Sequence, residues 1–525
     1  MRRIQRSASR ATRSSQAAWF SIQVLALMLH ASPLPAQQPA QVVSPAPQSP
    51  SSGGQQSGAG AQLQTGTSSG LSTDARLLNL LADHQYRSVE AQLAQLPPDQ
   101  AQFYSGILAN RSNHLEQSIS LLEPLVARVS ESGDTGVPTD GSSSAGWSTA
   151  HEKLLRKTLA EDYLRLGEWA KAADAYQALD ARFKDKLTSD EQDEIELPVK
   201  LLPLIRSNPP TTIEPCDPFK LPVSGDPLGL VDLPVFVDAR SRNWMLDPTL
   251  PFNLIAHSTA RDAGLKISTA GATISSLTGR TMQVHATVVP RFTIGGRLTL
   301  RDMTAFVYED KDYFFPQASY QVEGVLGYPA LAAMGSLTVN SDNTVFIRPA
   351  RQISPPEKDD LLTTGARFYL DGDQVVVALG RAGNAGGDAP SQPGSAMPGK
   401  VADHAAGPPD AADGERMYAV DAGGQQTYLT SRYFDEHAAE FNQQKMEMFS
   451  LLGAQSPPQP AYTAENVPLQ VGDSTVTLHF IHVLSQPLGT AALDDVYGVL
   501  GSDALGQLKS YTFDYRSMMF TAAAE

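Results

Sequence analysis

The hydrophobic pattern changes period several times along the chain. An apolar run over residues 17–29 gives way to residues 37–72, which are Gln, Pro, Ser, Gly and Ala with almost no large apolar side chains. Such a tract buries too little surface to offset its ordering entropy and predicts a disordered linker. From residue 73 to about 208 the apolar positions fall at helical spacing. Ala160, Tyr163, Leu164, Trp169, Ala172, Ala175 and Tyr176 follow that period, with Gly167 at the predicted turn between two helices. Residues 110–125 predict a second helical pair, and the Gly/Ser-rich residues 132–148 a surface loop. After Pro209 and Pro210 the writing becomes short Val, Ile, Leu, Phe and Thr runs broken by Gly, Asn and Asp, which predicts strands. That pattern runs to about residue 352 and resumes at 361. A Gly/Ala/Pro-rich insert, residues 384–415, interrupts it; an unpatterned stretch of that length predicts a disordered, exposed loop.

The helical stretch 73–208 resembles tetratricopeptide repeats, whose small Ala residues let paired helices approach closely. That resemblance implies a helical platform that either docks a protein partner or packs as a spacer against its neighbours. No chemistry-bearing motif lies in these helices.

Charge and termini narrow the setting. Arg2, Arg3, Arg6, Arg10 and Arg13 precede the apolar run, and Pro33-Leu34-Pro35-Ala36 closes it. Positive start, short apolar middle and small residue predict a secretory signal over residues 1–36, hence a periplasmic or secreted product. The apolar run is too short to span a bilayer comfortably, so a membrane is expected only if the signal stays uncleaved. The formal net charge is −16, and removal of the five Arg takes it to −21. With no basic cluster beyond the first residues, nucleic acid is not an expected partner. The single cysteine, Cys216, cannot form an internal disulfide or a zinc cluster. His479 and His482 lie three apart in a predicted strand and face opposite ways, so no metal is expected; no phosphate loop or other cofactor signature appears.

Internal repetition carries most of the information. Residues 245–264 read MLDPTLPFNLIAHSTARDAG and residues 419–438 read AVDAGGQQTYLTSRYFDEHA; downstream, GVLGYPAL (324–331) matches GVLGSDAL (498–505). Asp247 precedes Gly327 by 80 residues, and Asp421 precedes Gly501 by the same 80; Gly327 precedes Phe346 by 19, and Gly501 precedes Phe520 by 19. One unit has been duplicated.

That unit resembles the retropepsin-like aspartic proteases, and the tandem pair resembles their two-lobed, pepsin-like relatives. The resemblance covers about half the chain, in lobes over residues 225–352 and 361–525. It implies an α+β multidomain protein: a helical, tetratricopeptide-like region followed by two all-β acid-protease barrels. It also implies a catalytic carboxylate from each lobe, Asp247 and Asp421, with Gly327 and Gly501 packed beneath the loops. Two such carboxylates about 3 Å apart share one proton, one activating water while the other protonates the carbonyl oxygen.

Both loops depart from the family's Asp-Thr-Gly. The first reads Asp247-Pro248-Thr249, with a proline lacking an N–H and a β-branched residue where glycine's freedom is expected. The second, Asp421-Ala422-Gly423, keeps the glycine but lacks the bracing hydroxyl. Thr278 and Gly279 sit at a predicted hairpin tip that would serve as a flap in the first lobe. Pro457-Pro458-Gln459-Pro460 is expected to prevent a regular hairpin in the second. Three functions fit: an exported aspartic endopeptidase, an inactive relative that still binds extended peptide, or an envelope scaffold.

Overall fold

The structure, a computed structural model, describes residues 73–131, 148–227, 229–275, 281–350, 362, 364–372, 374–381, 416–421, 426–450, 458–488 and 494–524. The expected signal, the linker and the insert lie outside these residues.

The helical region comprises α1 (Thr73–Ala82), α2 (Tyr86–Glu90), α3 (Pro98–Arg111), α4 (Leu115–Glu131), α5 (Thr149–Arg165), α6 (Trp169–Phe183) and α7 (Ser189–Ile205). From α3 to α7 each helix packs on the next. Gly167 turns the chain between α5 and α6 at φ 71°, a conformation L side chains rarely adopt. Leu155, Leu159, Ala172, Ala173 and Tyr176 are buried along that pair.

The remainder is strand-rich. Three short strands, β1 (Thr212–Glu214), β2 (Phe219–Pro222) and β3 (Ser224–Gly225), lead into β4 (Val231–Phe236), β5 (Ser241–Leu246) and β6 (Asn253–Ala256). Helix α8 (His257–Asp262) precedes the long strands, β7 (Gly271–Ser275), β8 (Thr281–Ile294) and β9 (Leu298–Tyr308). Then come β10 (Phe314–Phe315), β11 (Tyr320–Gln321), β12 (Gly324–Leu326), α9 (Tyr328–Met334), β13 (Ser336–Asn340) and β14 (Thr344–Arg348). The second half runs β15 (Ala366–Asp371), β16 (Gln374–Arg381), β17 (Arg416–Asp421), β18 (Tyr428–Leu429), α10 (Ser431–Phe441) and β19 (Glu447–Phe449). It continues through β20 (Gln459–Val471), β21 (Ser474–Leu484), β22 (Gly498–Gly501), α11 (Ser502–Leu505), β23 (Ser510–Asp514) and β24 (Met519–Ala523).

The duplication is visible in the pairing. Asp421 follows Asp247 by 174 positions. At that offset the parallel pair β5–β12 matches the parallel pair β17–β22, and β6–β12 matches β18–β22. The insert falls between β16 and β17, where the first half has only a short connection from β4 to β5. Alternation divides the buried residues of each sheet. In β5, Trp244 and Leu246 join the core between the strands, while Met245 joins a second cluster shared with the helices.

The halves meet along one continuous ladder. In a thirteen-stranded sheet, β2, β14, β13, β23, β24 and β15 are consecutive neighbours. The β13–β23 pairing is Ser336 with Asp514, Leu337 with Phe513, Thr338 with Thr512, Val339 with Tyr511 and Asn340 with Ser510. Under the 174-residue offset Thr338–Thr512 maps onto itself, Ser336–Asp514 exchanges with Asn340–Ser510 and Leu337–Phe513 with Val339–Tyr511, which is the signature of a local two-fold between Thr338 and Thr512.

The helices are clamped to this body through buried charge. Asp371, at the β15–β16 turn, receives Arg111 at 2.7 Å, the Tyr86 hydroxyl at 2.8 Å and His84 at 3.3 Å. Arg111 also pairs with Glu161 at 3.0 Å. Burial would raise the Asp371 carboxyl; Arg111 above all, then His84 and Lys157, reverse this and hold it well below the usual carboxylate range. Arg165 donates to the carbonyls of Leu370 and Gly372, and Tyr328 of the first half donates to Asn113 at 2.7 Å.

Candidate active site

Asp247 sits one residue beyond β5. Its amide donates to the Leu326 carbonyl at 3.0 Å and so extends the β5–β12 ladder. Its Oδ1 accepts from the Thr249 amide at 3.0 Å and from the Thr249 hydroxyl at 2.6 Å. Burial pushes the carboxyl above its ordinary value; the Thr249 hydroxyl, then the Thr249 and Leu250 amides, oppose the rise.

Two sequence-based objections to this loop do not hold. Pro248 lacks an N–H, but the carboxylate takes its donors from Thr249, while the Leu250 amide donates to the Asp247 backbone carbonyl at 3.4 Å. Thr249 is not among the described residues at positive φ, so glycine's freedom is not used there, and its amide still reaches the carboxylate.

The glycines of the two GVLG motifs pack against the backbone that follows each Asp. A Cβ on Gly327 would stand 2.1 Å from the Phe252 carbonyl oxygen and 2.6 Å from that of Leu250. A Cβ on Gly501 would stand 2.7 Å from the Gln426 carbonyl, and Gln426 is the repeat equivalent of Phe252. Asn253 Oδ1 accepts the Gly327 amide at 3.1 Å, and Thr427 Oγ1, its repeat equivalent, accepts the Gly501 amide at 2.8 Å. Neither Asn253 nor Thr427 stands out in the sequence until the two copies are aligned, when both fall six residues after an Asp.

Asp421 ends β17 in register with Gly501 and is half-buried. Tyr428 lies close by; burial raises its phenol, with the Asp421 charge next in weight. Ala422 and Gly423 lie outside the described residues, as do Thr278 and Gly279. The strands flanking the first tip do pair, with Ser275 opposite Thr281.

The second half corrects the hairpin expectation. β20 runs through Pro460 and pairs with β19, Met448 opposite Pro460 and Phe449 opposite Gln459. Pro460 accepts from the Ser485 amide through its carbonyl at 3.1 Å. The N–H and C=O of one antiparallel residue point to the same side. The missing N–H therefore faces beyond the end of β21, where it costs the β19 ladder nothing.

One neighbour of Asp247 carries no signal in the sequence. Tyr313, on the connection from β9 to β12, packs against Tyr308 with ring centroids 4.7 Å apart and the planes tilted by 59°. Burial and then the Asp247 charge push its phenol up to about 12.

Comparison with known proteins supports part of this picture. A family model described as aspartyl protease matches residues 233–330, which span Asp247 and Gly327. That segment is an aspartyl-protease-like domain. A crystal structure of basic 7S globulin from soybean aligns over 59% of this chain and 97% of its own, at 12% identity and a TM-score of 0.34. No curated protein matches the chain.

Proposed function

We propose that the two β halves are the lobes of a single-chain, pepsin-like aspartic peptidase in which Asp247 and Asp421 supply the carboxylate pair. The observation that carries the reading is the β13–β23 register, in which Thr338 pairs with its own repeat equivalent, Thr512, and the flanking pairs exchange symmetrically about it. A two-fold relating the halves relates their two Asp loops as well, and a shared-proton dyad needs that symmetry. The reaction is peptide hydrolysis. Water adds to the carbonyl carbon as one carboxylate takes its proton, and the other carboxyl protonates the carbonyl oxygen. The tetrahedral intermediate then expels the amine, which leaves protonated. The raised Asp247 carboxyl supports the acid half of this pair.

On the same reading the substrate is an extended peptide, the chain works outside the cytoplasm after export, and the helical region is a tetratricopeptide-like platform for a protein partner. A second reading, peptide binding without cleavage, is favoured by one observation: both Thr249 donors converge on the same oxygen of a largely buried Asp247. A peptide with a hydroxymethylene in place of one amide mimics the tetrahedral state and tests the dyad. It should stabilise the full chain in acid, and Asp247→Asn or Asp421→Asn should abolish that shift. Equal stabilisation of wild type and both variants sinks the dyad.

A further inference from the structure

Residues 309–323, which join β9 to β12, fold as a strap. A helical turn at Asp310–Tyr313 leads into the hairpin of β10 and β11, with Phe315 opposite Tyr320 and Ser319 left-handed at φ 47°. One end is tied by Asp310, whose Oδ1 accepts the Ser258 amide of α8 at 2.9 Å. The middle places Tyr313 beside Asp247. The other end is tied by Tyr320, whose hydroxyl donates to Asp232 Oδ2 at 3.0 Å.

Asp232 is an unusual anchor. It is 2% exposed, and its Oδ1 has no hydrogen-bond partner among the described residues. The groups around it are a poor match for a charge. The turn before β4 brings Asp226, β11 brings Tyr320, and β5 places Met245 opposite it in the ladder. Glu323 lies near Tyr320. The Arg of this region, Arg242, is engaged by Glu323 at 3.0 Å and Asp238 at 3.7 Å. A proton satisfies this site; a second negative charge beside Asp226 does not.

We infer that Asp232 is a positioning residue that seats the strap, and with it Tyr313, against Asp247 in acid and loosens the strap towards neutral pH. The clause about Asp247 rests on the peptidase reading; the motion of the strap does not. Burial, then Asp226, push the Asp232 carboxyl up to about 7, against the pull of the Tyr320 hydrogen bond. The folded-state value is raised, so the stabilisation is complete below the ordinary carboxylate range, near pH 4, and is lost as pH climbs to about 7.

Hydrogen exchange of the full chain, read on peptides covering 309–323 and corrected for intrinsic rates, tests this at pH 4.5 and 8. The strap should lose about tenfold more protection at the higher pH than the β13–β23 ladder, which reports any global change in stability. Asp232→Asn, which still accepts from Tyr320 but cannot ionise, should equalise the two conditions. Tyr320→Phe should lower protection at both. Protection of the wild-type strap that ignores pH, or a pH dependence that survives Asp232→Asn, overturns the inference. If Asp232→Asn does not fold, Tyr320→Phe decides, and unchanged protection at pH 4.5 rejects the anchor. A strap that behaves as described in a chain that cleaves nothing refutes the peptidase reading and leaves this one standing.

Discussion

Thr338 and Thr512 occupy the same position in the two repeats, and their hydroxyls meet at 2.8 Å across the β13–β23 ladder. A residue that pairs with its own copy marks the local two-fold. The contact also gives a clean probe of how tightly the halves are joined. Replacing either Thr by Val keeps the shape and strands the other hydroxyl, at a cost of about 1 kcal/mol in denaturant unfolding. The double variant should cost little more than either single one, so the cycle returns a coupling of about 0.5–1 kcal/mol. Additive losses would mean the hydroxyls do not interact.

Gly327 and Gly501 should tolerate no side chain. Backbone carbonyls stand where a Cβ would go, at 2.1 Å in the first half and 2.7 Å in the second. Neither obstacle is the flexible end of a side chain. Gly327→Ala should cost about 3 kcal/mol or more and Gly501→Ala somewhat less, by thermal or denaturant unfolding.

The clamp between helices and strands should depend on Arg111. It is buried and faces Asp371 at 2.7 Å and Glu161 at 3.0 Å. Arg111→Met removes the nearest cation from two carboxylates, leaving Asp371 with His84 at 3.3 Å and Glu161 with Lys157 at 3.7 Å, and a loss of about 3 kcal/mol is expected. Restoring Asp371 to neutrality with Asp371→Asn in the same chain should recover part of it.

Stability should peak in mild acid. In the helical region the Asp162 carboxyl is pushed up to about 7 by burial, against hydrogen bonds from Ser118 and Asn110. Raised in the folded state, it contributes stability that is full below about pH 4 and declines up to about 7. Asp371 has the opposite sign: its stabilisation is present above the ordinary carboxylate value and is lost at lower pH. Unfolding free energy should therefore fall from about pH 4 to 7, and Asp162→Asn should flatten that fall by about 2 kcal/mol.

The duplicated unit is legible in the sequence because its spacing is fixed by backbone geometry. The β5–β12 and β17–β22 ladders place each Asp beside its Gly in the same register, so the two copies align residue for residue there although most side chains differ. Side-chain chemistry is less legible. Thr249 reads as a lost glycine, yet its amide and hydroxyl both reach the carboxylate. Pro460 reads as a strand breaker, because the sequence does not say which side its missing N–H faces. Tyr313 and Tyr320 share one connection that has no pattern of its own, and only the folded chain brings Tyr320 to Asp232, 88 residues away.

The central claim is that Asp247 and Asp421 act as one unit. Cleavage of an unstructured polypeptide by the full chain, followed from pH 3 to 7, tests it most directly alongside Asp247→Asn and Asp421→Asn. The account predicts cleavage in acid that fades towards neutrality and falls by about 1,000-fold or more in either single variant, because members of one catalytic unit are not additive. Activity that survives either substitution would contradict it, as would binding of extended peptides at every pH with no cleavage at any.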